Sequence, residues 1–300
     1  MQALRTPDAR FEGLPGFGFA PHYLDWNGLR VHYLDEGPRD GQPVLLLHGE
    51  PTWSALYAGV FPRFAAAGYR CIAPDHVGFG RSDKVVDDEW YVIERHCEVL
   101  RHVIETLDLR DATLVVQDWG GPIGLRQAVD LPERFARIVI LDTYLHHEGM
   151  PYSDGLRAWR AAATDPARLG GDMPVGRIVA RSLTRPGHDL AAVQALYDAP
   201  FPDARYKAGA RRFPWCLPFA EPQAGNAADQ ERCFHALPKL GKPTHFVWGD
   251  ADPVFPFAWG EQWARAVPGA TLDRIAGAGH FVQQDAPAEL AEILLRRLAG

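Results

Sequence analysis

The order of apolar and polar positions between residues 20 and 142 predicts a parallel sheet with helices packed on it. Four short runs are almost continuously apolar, as expected for strands covered on both faces: PVLLLH, YRCIAP, ATLVVQ and ARIVIL. A longer stretch, Tyr91 to Leu107, has apolar residues at helical spacing and connects two of these runs. Before them, HYLDW and RVHYLDEG flank the turn residues Asn27 and Gly28 and predict an antiparallel hairpin.

The pattern changes after Leu141. Residues 145–235 are rich in Ala, Arg, Pro and Gly, contain helical stretches such as LRAWRAAA and AAVQALYDA, and show no convincing strand. From Pro243 the alternation returns, with THFVWG and ATLDRIAG as predicted strands and helices predicted over residues 256–267 and 287–298. We therefore predict an α/β fold whose sheet is interrupted by a helical insertion and then completed.

The composition fits a soluble protein with a core of residues 1–144 and 236–300 and a helical cap of residues 145–235. A chain of 300 residues with 47% hydrophobic and 23% charged residues can bury one large core. The formal net charge of -7 provides no basic face, so neither nucleic acid nor a membrane is expected as a partner. The first twenty residues lack the apolar stretch of a secretory signal, and we expect a cytoplasmic protein, monomeric by preference.

The cysteines and serines argue against several kinds of site. The four cysteines are far apart and form no CxxC pair, which argues against a zinc site and a redox dithiol, so we expect buried, reduced thiols. Only four serines are present and none lies in a G-x-S-x-G pattern, so a serine esterase or lipase is not expected.

The most informative segment is VVQDWGG, residues 115–121, which closes a predicted strand and opens a helix. On such a sharp turn the side chain of Asp118 would project above the sheet, as in a nucleophile elbow, where most enzymes carry serine. The alternative is that Asp118 only caps the following helix, since aspartate is a favoured N-cap residue. Residues further along the chain favour the nucleophile.

Two later residues could complete a catalytic triad with Asp118. In enzymes with this elbow the triad runs nucleophile, acid, base along the chain. Asp252 in WGDADP and His280 in GAGHF come in that order, each soon after a predicted strand, where ligands bind in open α/β sheets. Separately, Asp252 could be a turn residue before Pro253 and His280 an ordinary histidine. The tight and, we expect, exposed glycine loop around His280 favours the catalytic interpretation.

The loop HGEP, directly after the strand PVLLL, supplies a fourth element. In enzymes with this elbow, that loop donates one backbone N–H to an oxyanion hole and the residue after the nucleophile donates the other. This interpretation assigns the N–H groups of Glu50 and Trp119. The alternative is a plain turn ahead of a helix.

Together these segments resemble the haloalkane dehalogenases, enzymes of the α/β-hydrolase fold with a mostly parallel central sheet, flanking helices and an inserted helical cap. The resemblance runs from about Arg5 to the C-terminus, with the motifs in the same order and at similar spacing. It rests on HGEPTWS, DHVGFGRSDK, VVQDWGG, GLRAW, APFPD and AGHFVQ. The closest match is the branch in which the triad acid follows the strand after the cap.

The resemblance implies a role for each candidate residue. It makes Asp118 the nucleophile, His280 the base and Asp252 the acid that orients the base. It also makes Trp119 and, in the cap, Trp159 the two indoles that hold the halide. An indole N–H donates a hydrogen bond and accepts none, so a pair of them suits an anionic leaving group. The alternative for Trp159 is a packing residue buried in the cap.

Other residues around the predicted site leave choices open. Asp142 ends the strand ARIVILD, where another branch of the family carries its triad acid, so two candidate acids are present and Asp252 is preferred. The cap has one other tryptophan, Trp215, but the GLRAW segment favours the first. Leu156 and Val254 are expected to line the substrate pocket.

The resemblance implies hydrolysis of a haloalkane to a primary alcohol, a halide ion and a proton. An ionised aspartate needs no base to displace the halide, and water activated by His280 would hydrolyse the resulting alkyl ester. The expected partners are the haloalkane, the halide ion and water, with no metal and no cofactor. One alternative is a hydrolase-fold protein that binds a small ligand without converting it. Another is an epoxide hydrolase, which four tyrosines keep open: Tyr144, Tyr152, Tyr197 and Tyr206.

Overall fold

The centre of the structure, a computed structural model that describes residues 2–299, is a sheet of eight strands. In chain order the strands are β1 (Ala3–Leu4), β2 (His22–Trp26), β3 (Leu29–Glu36), β4 (Gln42–Leu47), β5 (Tyr69–Pro74), β6 (Lys84–Val85), β7 (Ala112–Gln117), β8 (Phe135–Leu141), β9 (Thr244–Gly249) and β10 (Thr271–Ile275). The sheet has the order β10-β9-β8-β7-β4-β5-β3-β2. Neighbours are parallel from β10 to β5, whereas β3 pairs antiparallel with β5 and with β2. Separately, β1 and β6 pair antiparallel.

Helices cover the sheet and form the insertion. They are α1 (Phe61–Ala66), α2 (Ile93–Thr106), α3 (Gly120–Asp130), α4 (Asp154–Ala163), α5 (Val175–Ser182), α6 (Leu190–Asp198), α7 (Ala208–Arg212), α8 (Ala227–Ala236), α9 (Phe257–Ala266), α10 (Val282–Asp285) and α11 (Pro287–Leu298). Every residue of β7 is buried, so both faces of the sheet are covered at its centre. Among residues 2–299, no helix is both long enough and apolar enough to cross a membrane.

The strands and helices expected from the apolar pattern are confirmed. The hairpin forms between β2 and β3, and its turn residues Asn27 and Gly28 have φ values of 53° and 82°. The three long helices expected outside the insertion are α2, α9 and α11. All four cysteines are described, and each is buried and unpaired, as expected.

The insertion between β8 and β9 contains α4 to α8 and, within the described chain, no strand. It is joined to the loops that follow the last two strands of the sheet. The Ser153 hydroxyl donates to the Val254 carbonyl at 2.6 Å, and the Thr184 hydroxyl donates to the Gly277 carbonyl at 2.7 Å. The cap therefore lies against the end of the sheet where the candidate acid and base are found.

Candidate active site

Asp118 lies at the sharp turn between β7 and α3. Its backbone φ of 50° is in the left-handed region, which aspartate and asparagine tolerate better than most residues. Small neighbours allow this turn, because a Cβ on Gly49 would lie 2.1 Å from Oδ1 of Asp118. Likewise, a Cβ on Gly121 would lie 2.0 Å from the hydroxyl oxygen of Thr143. Gly49 explains how the loop after β4 can approach the nucleophile candidate so closely, and Gly121 explains how α3 can approach Thr143.

The three candidate triad residues are brought together, although they come from segments far apart in the chain. His280 Nε2 lies 3.5 Å from Oδ2 of Asp118, and His280 Nδ1 lies 2.9 Å from Oδ2 of Asp252. All three side chains are buried. An ionised Asp252 can only accept hydrogen bonds, so Nδ1 of His280 carries a proton and donates a hydrogen bond to it. This contact directs Nε2 toward Asp118.

The charges around His280 favour its protonated form. Burial alone would lower the pKa of the imidazole, but the carboxylates of Asp252 and Asp118 outweigh it and raise the pKa well above its ordinary value. One of these two carboxylates is the candidate nucleophile. Esterification of Asp118 would remove its charge and so lower the pKa of His280.

The loop around His280 differs from the prediction in one respect. It was expected to be exposed, but Ala278, Gly279 and His280 are buried. The cap is the reason, since a Cβ on Gly279 would lie 3.0 Å from both the Ser182 carbonyl oxygen and the Thr184 side chain. Gly279 therefore gives the loop room to pass beneath the cap, whereas Gly277 is exposed.

Glu50 approaches the nucleophile candidate through its main chain. Its N–H donates to Oδ1 of Asp118 at 2.7 Å. His48, two residues earlier, is fixed by the loop after β5, because the His76 N–H donates to His48 Nε2 at 3.0 Å and His76 Nε2 lies 2.8 Å from the His48 carbonyl oxygen. These contacts hold the Glu50 N–H in a position to bind a negative oxygen. Trp119, whose N–H is the second oxyanion candidate, is the N-cap residue of α3.

The side chain of Glu50 is a feature that sequence reasoning did not identify. It is buried, it borders the same cavity as Asp118, and its Oε1 has no hydrogen-bond partner among the described residues. Burial and the adjacent charge of Asp118 raise the pKa of this carboxyl well above its ordinary value. Burial and the charge of Asp118 thus both disfavour the ionised form of this glutamate.

A cavity of about 280 Å³ lies between the sheet and the cap. The predicted residues that line it are Glu50, Asp118, Trp119, Leu156, Trp159, Val254 and His280. Leu156 and Trp159 are one turn apart on α4, so both can face the cavity. The other cap tryptophan, Trp215, is 38% exposed and its ring lies under the Arg160 guanidinium, 5.4 Å from the ring centroid.

Comparisons with known proteins identify the family. The alpha/beta hydrolase fold family matches residues 42–287. A haloalkane dehalogenase of Mycobacterium marinum is 43% identical, covering 98% of this chain and 99% of the relative, and one of Psychrobacter cryohalolentis is 41% identical, covering 99% and 98%. The chain belongs to the haloalkane dehalogenases. The solved tetrameric haloalkane dehalogenase DpaA of Paraglaciecola agarilytica superposes with a TM-score of 0.90 at 36% identity, covering 99% of this chain and 98% of that chain.

Membership of the haloalkane dehalogenases confirms the first of the functions weighed from the sequence. The positions of the tyrosines do not favour the epoxide hydrolase alternative. Of the four considered for epoxide chemistry, only Tyr144 borders the cavity. The Tyr152 hydroxyl lies 2.6 Å from Nδ1 of His146, and the Tyr197 hydroxyl donates to Gln284 at 3.0 Å. No pair of these tyrosines faces Asp118.

Two further residues of this haloalkane dehalogenase make contacts that were not predicted. The amide of Gln117 donates to the His280 carbonyl at 3.1 Å and lies 3.3 Å from His280 Nε2. The Thr143 hydroxyl donates to the Asp118 carbonyl. A polar residue at the end of an apolar run, as in VVQ, was the available signal for Gln117. Thr143 gave none, because its contact depends on how β7 and β8 pair.

Proposed function

We propose that the protein hydrolyses haloalkanes in two steps, with Asp118 as the nucleophile of the first. A carboxylate oxygen of Asp118 attacks the carbon that bears the halogen, and the carbon–halogen bond breaks as the carbon–oxygen bond forms. The products of this step are a halide ion and an alkyl ester of Asp118. The observation that carries the proposal is that Asp118, His280 and two tryptophans border one largely buried cavity.

The indoles of Trp119 and Trp159 are proposed to bind the departing halide. Negative charge develops on the halogen as the bond breaks, so an N–H donor interacts more strongly with the transition state than with the neutral substrate. Both tryptophans border the cavity that holds Asp118, which supports this assignment. Leu156 and Val254 are proposed to contact the alkyl chain.

His280 is proposed to act as the base of the second step. It takes a proton from water, the water oxygen attacks the ester carbonyl, and the alcohol leaves with the oxygen that Asp118 supplied. The N–H groups of Glu50 and Trp119 would stabilise the oxyanion. Asp252 orients the imidazole and stabilises its charged form. Because the ester has no charge, His280 loses one of the two carboxylates that raise its pKa at the moment a base is needed.

The remaining parts of the proposal concern the whole protein. We propose a primary alcohol as the organic product, with no metal or organic cofactor, and a cytoplasmic monomer as the active form. Residues 1–144 and 236–300 are proposed as the core and residues 145–235 as the cap, although α8 continues one residue past that boundary, to Ala236. Light scattering after gel filtration would give the molar mass in solution and so test whether the protein is a monomer. The measurement is needed because the solved relative DpaA is a tetramer.

A small substrate panel tests the reaction. The protein should release halide from 1-bromobutane and 1-chlorobutane, with one proton released per halide, and should not open 1,2-epoxybutane. Halide, proton and diol are measured in parallel. Diol formation without halide release would exclude the proposed reaction.

We predict that Trp159→Phe slows carbon–halogen cleavage about ten- to a hundred-fold, because a hydrogen bond to a charged acceptor contributes ~1.5 to 3 kcal/mol. Halide binding, followed by quenching of tryptophan fluorescence, should weaken as well. Trp215→Phe is the matched control, since it removes an exposed cap indole by the same substitution. If Trp215→Phe slowed cleavage and Trp159→Phe did not, the halide would bind at Trp215 and our assignment of Trp159 would be wrong.

A further inference from the structure

Asp142, at the end of β8, is buried against the candidate triad acid. Its side chain accepts from the Gly249 N–H, with distances of 3.1 Å to Oδ1 and 3.4 Å to Oδ2. It is also in hydrogen-bond contact with the carboxyl group of Asp252. Two ionised carboxylates in contact inside a protein repel each other strongly, so such a pair retains one proton. The two acids therefore carry one negative charge between them.

The hydrogen bonds indicate which acid carries the proton. Asp252 accepts from a donor on each of its oxygens, His280 Nδ1 on Oδ2 at 2.9 Å and the Val254 N–H on Oδ1 at 2.7 Å. Asp142 accepts from one main-chain N–H, that of Gly249. Burial and the neighbouring Asp252 charge raise the pKa of Asp142 well above its ordinary value, and His280 only partly opposes them. The proton therefore belongs on Asp142.

We propose that Asp142 is a positioning residue whose carboxylic acid donates a hydrogen bond to Asp252 and so fixes the acid that orients His280. This inference rests on the proposed role of Asp252. It differs from the role of a competing triad acid that the sequence left open for Asp142. In this arrangement Asp142 does not touch the substrate and adds no charge to the site.

The turn at Asp142 also contacts the main chain of Asp118. Asp142 has a φ of 31°, and its carbonyl accepts from the Asp118 N–H at 3.1 Å. The next residue, Thr143, donates its hydroxyl to the Asp118 carbonyl. One turn thus fixes the backbone of the nucleophile candidate and the side chain of the acid. Any shift at Asp142 would move both.

Asp142→Asn tests the protonation state, because an amide has the shape of a neutral carboxyl, can donate to Asp252, and tolerates a positive φ. We expect the rate constant of ester hydrolysis, measured in a single turnover, to stay within about three-fold of the parent value, and the acid limb of its pH profile not to move. A charged Asp142 would give another result. Loss of that charge would lower the pKa of His280 and shift the acid limb down, by about half a unit or more.

Asp142→Ala removes the donor altogether. Asp252 would then keep its full charge toward His280, so the acid limb should move up, and ester hydrolysis should slow about ten-fold or more. Recovery of the parent profile by asparagine but not by alanine is the expected pattern. Equal losses in both variants would overturn the proposal. If Asp142→Ala does not fold, the pH profile of Asp142→Asn still decides.

An infrared measurement separates this inference from the proposed function. A protonated carboxylic acid gives a carbonyl band that a carboxylate does not, and the band assigned to Asp142 should disappear in Asp142→Asn without any substrate present. Its presence in the parent and its loss in the variant support the inference even if no haloalkane is converted. Absence of the band from the parent protein at neutral pH would refute it. If the ester accumulated in Asp142→Asn but not in Asp252→Asn, Asp142 would be the triad acid and the inference would be wrong.

Discussion

Replacing Asp118 with asparagine should lower halide release by about four to six orders of magnitude, because the variant has no nucleophile for the first step. Neither a burst of halide nor an alkylated protein should form. The measurement is halide release from 1-bromobutane together with the intact mass of the protein after incubation. In this variant the base, the acid and the tryptophans remain, so the experiment isolates the carboxylate.

Asparagine is the appropriate replacement because of the turn that it must occupy. The φ of Asp118 is 50°, and asparagine adopts the left-handed region more readily than alanine does. Its amide oxygen can still accept the Glu50 N–H that now reaches Oδ1 at 2.7 Å. Asp111 also has a φ of 50° and is exposed, so Asp111→Asn is a control for the same change of residue at the same backbone angle.

Slow hydrolysis of the new amide to aspartate would restore activity, so the mass of the peptide that contains position 118 must be checked after the assay. A burst of halide from a protein whose amide is intact would mean that another group attacks the carbon. In that case the first step proposed here would be wrong, whatever the fate of the second.

The sheet was predictable because its strands are buried on both faces. A strand such as β7, with every residue buried, gives a continuous apolar run that the sequence displays directly. The helices α2, α9 and α11 were predictable for a related reason, since one face of each is buried and gives apolar residues at helical spacing. No strand was predicted for the cap from the sequence, and the described part of the cap contains none.

The triad candidates and Glu50 were also predictable, because each lies in a loop or turn after a strand and within a recognisable local motif. Their electrostatics were not. The contact between Asp142 and Asp252 joins positions 110 residues apart, and the buried Glu50 carboxyl borders a cavity that distant residues of the cap also line. No local pattern records either fact. The burial of the loop at His280 was missed for the same reason, as it results from Ser182 and Thr184 in the cap.

His280→Phe should stop the reaction halfway. The first step does not use the imidazole, so each active site should release about one halide ion in a burst, after which turnover falls by about three orders of magnitude or more. The alkyl group should then be found on Asp118 by peptide mass spectrometry. Rapid quenching, with halide and protein mass measured from the same samples, gives both quantities.

Phenylalanine suits the surroundings of His280, whose ring already lies 5.4 Å from the ring centroid of Phe255 and 4.8 Å from that of Phe281. The polar contacts to Asp252 and Gln117 would be lost, so melting temperature and near-ultraviolet circular dichroism must accompany the kinetics. His235 has an exposed side chain, and His235→Phe controls for the substitution itself.

The comparison of the two variants separates the two steps. Asp118→Asn should show neither burst nor ester, whereas His280→Phe should show both and then stop, because only the second step needs a base. If His280→Phe turned over at the parent rate, the base would have to be another group. A folded His280→Phe protein without a burst would mean that the imidazole already acts in carbon–halogen cleavage, for instance by holding Asp118 through the contact that Nε2 makes at 3.5 Å.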